Sequence, residues 1–114
     1  MTRARQALGA AGEDLAAAWY ESRGYEVLAR NWRCRDGELD LVLRRGPTIV
    51  FCEVKARSSL AFGSPLEAVT PRKCRRIRRL AAAWLDQAGR GAPELRFDVA
   101  AVLDGHVEVV EAAF

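Results

Sequence analysis

Leu39-Asp40-Leu41-Val42-Leu43 and Ile49-Val50-Phe51-Cys52-Glu53-Val54-Lys55 decide the fold of this chain. Both runs are rich in branched and aromatic apolar residues and are bounded by turn signals, Asp36-Gly37 before the first and Gly46-Pro47 between them. They read as the two strands of a hairpin. Side chains alternate faces along a strand, so Glu53 and Lys55 share one side. A buried, unpaired carboxylate is costly and two close together repel, a conflict that a bound cation or an amine relieves. Charged residues at Asp40, Glu53 and Lys55, inside otherwise apolar strands, therefore point to a divalent-metal site suited to hydrolysis.

Outward from that hairpin, residues 11–23 carry Leu, Ala, Trp, Tyr and Glu, which favour helix, with Gly24 as the stop. Residues 26–33 read as a first strand. Residues 57–69 are loop-like, with Ser58-Ser59, Gly63 and Pro65. Thr70-Pro71 is a cap followed by a first-turn proline. The stripe Ile77, Leu80, Ala81, Trp84, Leu85 and Ala88 carries a second helix to Gly89. Residues 95–103 and 107–110 form a second hairpin across Asp104-Gly105. Residues 1–9 read as a flexible basic lead-in and residues 10–114 as one domain. The order is α-β-β-β-α-β-β. The helix joining the Glu53 and Phe97 strands makes them parallel, through a right-handed crossover. The expected fold is α/β, a mixed five-stranded sheet with flanking helices.

Composition bounds the function. The chain has 114 residues, half of them apolar and 29% charged, which suits one globular domain with a real core. No apolar stretch reaches the length of a membrane span and the first residues lack a signal-peptide core, so no membrane partner is expected. The three cysteines, Cys34, Cys52 and Cys74, are odd in number and widely spaced. That argues against a disulfide framework or zinc site and for a reducing cytoplasm, with Cys52 as a core residue. The single histidine, His106, sits beside a hairpin turn, which argues against a histidine-held metal. Net charge is only +3, yet sixteen of the eighteen basic residues are Arg. A Lys kept inside a strand against that background suggests a chemical need, because lysine can lose its proton and arginine does not.

Magnesium and manganese take hard oxygen ligands, and one or two carboxylates plus a substrate phosphate complete a site. Asp40 and Glu53 on neighbouring strands are the expected ligands for Mg2+ or Mn2+. Lys55 would steer the attacking water or offset charge on the phosphate. The bland alternative is that Lys55 simply pairs with Glu53 or Asp40. Glu13 has Ala16, Ala17 and Tyr20 on its helical face, so it either reaches the site or only favours the positive end of the first helix. Asp36 and Glu38 read as solvated turn residues, and Arg96 with Asp98 as a structural pair. Trp84 reads as core, while Trp32 is open between core and base stacking.

Arg72, Lys73, Arg75, Arg76, Arg78 and Arg79 crowd the start of the second helix. Cations there oppose the macrodipole and repel one another at i+4, each conflict costing a few tenths of a kcal/mol. An anionic partner offsets that cost, and Arg72, Lys73, Arg75, Arg76 and Arg79, with Arg57, are the expected nucleic-acid contacts. A solvated polar face is the bland alternative.

Gly12-Glu13, Asn31, Gly37-Glu38-Leu39-Asp40-Leu41-Val42, Phe51-Cys52-Glu53-Val54-Lys55-Ala56-Arg57, Phe62-Gly63-Ser64-Pro65, Lys73, Arg96-Phe97-Asp98-Val99 and Ala113-Phe114 together resemble the bacterial YraN family. The resemblance spans roughly residues 10–114. That family resembles the PD-(D/E)XK nucleases, akin in outline to archaeal Holliday-junction resolvases, which implies a restriction-endonuclease-like three-layer fold. It further implies that Asp40 and Glu53 are metal ligands, Lys55 the catalytic lysine and Glu13 an additional helix-borne acid. Lys73 is expected to face the site on the same ground. Leu39 stands where the superfamily has a proline. The expected function is a metal-dependent endonuclease acting on DNA, branched or damaged DNA included. The alternatives are a nucleic-acid-binding or protein-interaction module without turnover and, more weakly, an RNA-directed factor. A homodimer would suit a resolvase-like enzyme, although no residue demands one. Residues 57–69, carrying Arg57 and Phe62, are the expected substrate-gripping segment.

Overall fold

The computed structural model describes residues 3–57, 69–91 and 94–114, with side chains from Gly9 onward in the first helix. The elements are α1 (Arg3–Glu21), β1 (Glu26–Cys34), β2 (Gly37–Arg45), β3 (Thr48–Arg57), α2 (Pro71–Ala88), β4 (Glu94–Leu103) and β5 (His106–Val110). Their order is the one the sequence predicts. The strands form one sheet in the order β1-β2-β3-β4-β5. All neighbours are antiparallel except β3 and β4, which are parallel as the intervening helix requires.

Each helix covers one face of the sheet. Ala16, Ala17 and Tyr20 of α1 pack on Leu41, Leu43, Val50, Cys52 and Ala100. Ile77, Leu80, Ala81 and Trp84 of α2 pack on Leu39, Val42, Ile49, Phe51 and Phe97. Phe51 lies at the centre of the second layer, its ring 5.9 Å edge-on from Trp84 and 5.6 Å stacked on Phe97. Trp84 is thus core, as its spacing indicates, and Trp32 packs half-buried against the same layer.

Local chemistry sets the boundaries. The Thr70 hydroxyl accepts from the Lys73 N–H at 3.2 Å, Pro71 fills the first turn and Gly89 closes α2 in the left-handed conformation (φ 64°). Gly46-Pro47 forms a two-residue hairpin loop with φ 58° at Gly46, and Asp104-Gly105 a second with φ 52° and 80°. The thiols of Cys34, Cys52 and Cys74 are all free, and Cys52 is buried. Among the described residues, no helix is long and apolar enough to cross a membrane.

Two of the boundary differences from the sequence reading bear on the site. Helix α1 starts at Arg3 rather than near residue 11, because Ala4, Arg5, Gln6, Ala7 and Leu8 are all good helix formers. Strand β2 starts at Gly37, which turns Glu38 from a solvated turn residue into a half-buried strand residue; Asp36 is exposed as expected. Of the expected gripping segment, residues 57–69, Arg57 is the last residue of strand β3 rather than loop, and residues 58–68, with Phe62-Gly63-Ser64-Pro65, lie outside the described residues.

Candidate functional site

Strands β2 and β3 pair from Arg45↔Thr48 to Leu41↔Cys52, and the ladder stops there. The next pair would be Asp40 and Glu53. Instead, the Val54 N–H donates to Asp40 Oδ2 at 2.8 Å, so a side chain replaces the backbone rung. Alternation also breaks at this point. Leu39 packs in the α2-side layer and Leu41 in the α1-side layer, although residues two apart on a regular strand share a face. Across the β1–β2 ladder, Arg30↔Leu41 and Trp32↔Leu39 bracket Asn31, which has φ 49°. Asparagine tolerates that left-handed conformation better than most residues. Both strands therefore flip faces together at Asn31 and Asp40.

Helix α1 supplies the next acid. A Cβ at Gly12 would lie 2.7 Å from Cβ of Ala56, so only glycine lets α1 press this closely on β3. Glu13 follows directly, with Ala16, Ala17 and Tyr20 buried on its own face as the helical spacing indicates. One carboxylate oxygen each of Glu13, Glu38 and Asp40 lie within 4.8 Å of one another. Burial and then the charge of Glu53 push Asp40 up to about 7, with Glu13 and Glu38 adding to the rise and the Val54 N–H opposing it. Burial raises Glu13 as well, against a hydrogen bond from the Asn31 side chain.

Glu53 is buried (8% exposed) and meets two ammonium groups on one oxygen. Lys73 Nζ lies 3.0 Å and Lys55 Nζ 3.3 Å from Glu53 Oε1. Lys55 confirms the shared face of Glu53 and Lys55, and Lys73 reaches the same face from the first turn of α2. Burial and the neighbouring Lys73 lower the Lys55 ammonium, with Glu53 opposing. For Lys73, burial pulls downward, but Lys55, Glu53 and Asp40 together raise it.

The expected residues are thus brought together at one end of β2 and β3, but in two groups. Glu13, Glu38 and Asp40 gather on the α1 side, while Glu53, Lys55 and Lys73 gather on the α2 side. Asp40 stands between them, close enough to Glu53 to be repelled by it. Arg57, two strand positions beyond Lys55, ends β3 half-buried. Arg72, Arg75, Arg76 and Arg79 are exposed on α2, whereas Arg78 stacks on the Phe97 ring at 4.4 Å. Sequence reasoning missed Glu38 and Asn31. An Asn among strand residues was the available signal, since Asn is depleted in strands and enriched at positive φ.

Arg96 and Asp98 form the structural pair that the sequence suggests. Asp98 is fully buried and accepts from Arg96 Nε and Nη2 (both 2.9 Å), the Tyr20 hydroxyl (2.7 Å) and the Ala112 N–H (3.0 Å). Burial, then Cys52 and Asp98, raise Tyr20, and the Asp98 bonds raise Arg96.

The profile of the family described as "Uncharacterised protein family UPF0102" matches residues 12–102, the segment that contains every residue of both groups. A UPF0102 protein of Beutenbergia cavernae is 61% identical over 101 residues, covering 89% of this chain and 86% of the relative. One from Acidothermus cellulolyticus is 50% identical, covering 97% and 96% respectively, and one from Nocardia farcinica is 52% identical, covering 94% and 86%. With its profile matched across both halves of the site and these relatives aligned along nearly the whole chain, this protein belongs to the UPF0102 (YraN) family.

Proposed function

We propose that the chain is a divalent-metal-dependent hydrolase of phosphodiester bonds in DNA. The observation that carries this reading is the crowding of carboxylates on Asp40, whose pKa is pushed to about 7 by burial and by Glu53, Glu13 and Glu38. Carboxylates perturbed by burial and by one another in this way cluster at functional sites. The donor set supports a hard cation. Glu13, Glu38 and Asp40 offer oxygen alone, with no thiol or imidazole among them, which suits Mg2+ or Mn2+. These three residues would hold the cation, and Glu53 would join them once it exchanges a lysine for it. When bound, the cation supplies Lewis-acid polarisation of the phosphate and acidification of water.

The chain's own groups account for the rest. The Val54 N–H fixes the orientation of the Asp40 carboxylate. Lys55, lowered by burial and by Lys73, is disposed to take a proton from the attacking water or to donate to a phosphoryl oxygen. Lys73 pairs with Glu53 at 3.0 Å and so ties α2 to β3. The exposed arginines of α2 and Arg57 attract the phosphate backbone. Three free thiols support a reducing, cytoplasmic location.

A second reading, a DNA-binding module without turnover, draws on Glu53. Its two ammonium partners are also what a purely structural ion pair would have. Incubation of branched and linear DNA with Mn2+ or Mg2+, beside Asp40→Asn and Lys55→Ala, separates the two. Metal-dependent nicking lost in both variants is expected. Salt-sensitive binding that survives both, without nicking by the intact chain, would favour the module.

A further inference from the structure

The twin irregularity at Asn31 and Asp40 has a consequence for β1. Leu28, Ala29, Trp32 and Cys34 all pack against the α2-side layer. Arg30, by contrast, pairs with Asp14 of α1, and Arg33 pairs with Glu38 at 3.2 Å. On an unbroken strand, residues three apart would lie on opposite faces. The left-handed turn of the backbone at Asn31 brings Arg30 and Arg33 onto one face, the face of Glu13, Glu38 and Asp40. Arg35 follows in the β1–β2 turn, where an open depression of about 470 Å3 runs from Arg33 to Glu38. All three arginines are exposed, and β1 is an edge strand.

The arginines of α2 stand differently. With about 100° between successive residues, Arg75 and Arg79 point away from the Ile77/Leu80/Ala81/Trp84 face and Arg72 lies well off it, so all three face away from the sheet. They lie on the layer opposite the carboxylate cluster.

We propose that Arg30, Arg33 and Arg35 of the edge strand form the phosphate-contacting surface of this site, gripping the backbone of duplex DNA alongside Glu13, Glu38 and Asp40. This rests on the phosphodiester reading above. The α2 arginines act at longer range, through their field. Their present carboxylate partners are exposed pairs, 41% and 68% for Arg30 and Asp14, 77% and 34% for Arg33 and Glu38. Exposed pairs contribute little, so exchanging carboxylate for phosphate costs little. A cation drawing on Glu38 would free Arg33 further.

The test compares two triple variants of equal charge, Arg30→Gln/Arg33→Gln/Arg35→Gln and Arg72→Gln/Arg75→Gln/Arg79→Gln. Each is titrated with a duplex oligonucleotide in EDTA over a range of salt, with circular dichroism to confirm folding. The β1 variant is expected to lose roughly 2.7 from the salt slope, about 0.9 per contact, and at least about 10-fold in affinity at 0.15 M salt. The α2 variant is expected to lose clearly less. Replacing the same β1 residues by Lys should restore most of the slope, which separates charge from packing. A β1 variant that loses no more than the α2 variant would overturn the proposal, and so would an intact chain that does not bind duplex DNA. Metal-dependent nicking alongside an unaffected β1 variant sinks this surface alone. The expected binding losses without any nicking sink the hydrolase reading and leave the surface standing.

Discussion

Asp98 and Asp40 are both aspartates set in otherwise apolar strands of one sheet, and their surroundings are opposite. Asp98, fully buried, has both oxygens engaged by Arg96, Tyr20 and the Ala112 N–H. Asp40 has one backbone N–H and three neighbouring carboxylates that raise its pKa. The first aspartate is neutralised by the fold and joins α1, β4 and the C-terminal segment, whose Ala113 N–H donates to the Phe97 carbonyl at 2.7 Å. The second is left with negative charge that the fold does not offset. Buried carboxylates of the first kind stabilise; those of the second kind create a demand for a cation.

The contrast predicts a descending series of effects. Asp98→Ala should be the most damaging, leaving the Arg96 guanidinium and Tyr20 hydroxyl without their buried partner at a cost of about 3–5 kcal/mol. A thermal melt should fall by on the order of 15 °C, equally with and without Mg2+. A melt that moved under 3 °C, or about that, would erase the distinction between the two aspartates.

Gly12→Ala should cost about 1–3 kcal/mol, since its Cβ would meet that of Ala56 at 2.7 Å and overpacking outweighs the roughly 1 kcal/mol of helix propensity gained. Because α1 must back away, Glu13 moves with it, and Mn2+ affinity measured by titration should weaken as well. Retained affinity would mean that Glu13 is dispensable.

Asp40→Asn should invert the usual sign. The folded pKa of Asp40 is raised from 3.8 to about 7, so ionisation is harder in the folded chain than in the unfolded one. The associated stability is full below about pH 3.8 and is lost as pH rises through about 7. At pH 8 the Asn variant should therefore be more stable than the parent by on the order of 1–2 kcal/mol, and at pH 4 nearly equal. Mn2+ should raise the parent's melting temperature at pH 8 and leave the variant's unchanged. A variant less stable than the parent at pH 8 would contradict the repulsion.

Arg33→Ala should be the mildest change, under about 1 kcal/mol, because its pair with Glu38 is largely exposed. By releasing Glu38 it should tighten Mn2+ binding in a direct titration. Weaker binding would argue that Arg33 positions Glu38 rather than competes for it.

Much of this was legible in the residues. Periodicity and turn chemistry marked the hairpin around Gly46-Pro47, the Thr70-Pro71 cap and the parallel β3–β4 pair, because those signals are local. The shared face of Glu53 and Lys55 followed from strand alternation. Glu38 and the β1 arginines did not, because the irregularity at Asn31 and Asp40 breaks the alternation that such a reading depends on. Nor could spacing reveal that Lys73, eighteen residues beyond Lys55, would meet Glu53 on the same oxygen. That contact is set by how α2 lies across β3. The α1 start was missed for a different reason. Gly9 argues locally against extending the helix, and the close approach at Ala56 is a tertiary reason for Gly12 that no local signal carries.

Crystals soaked in Mn2+ and measured for anomalous scattering test the central claim most directly. The account predicts a peak bound by Glu13, Glu38 and Asp40, with Glu53 turned toward it and away from Lys73. A well-ordered site with no peak at these carboxylates, and Glu53 still held by both lysines, would contradict it.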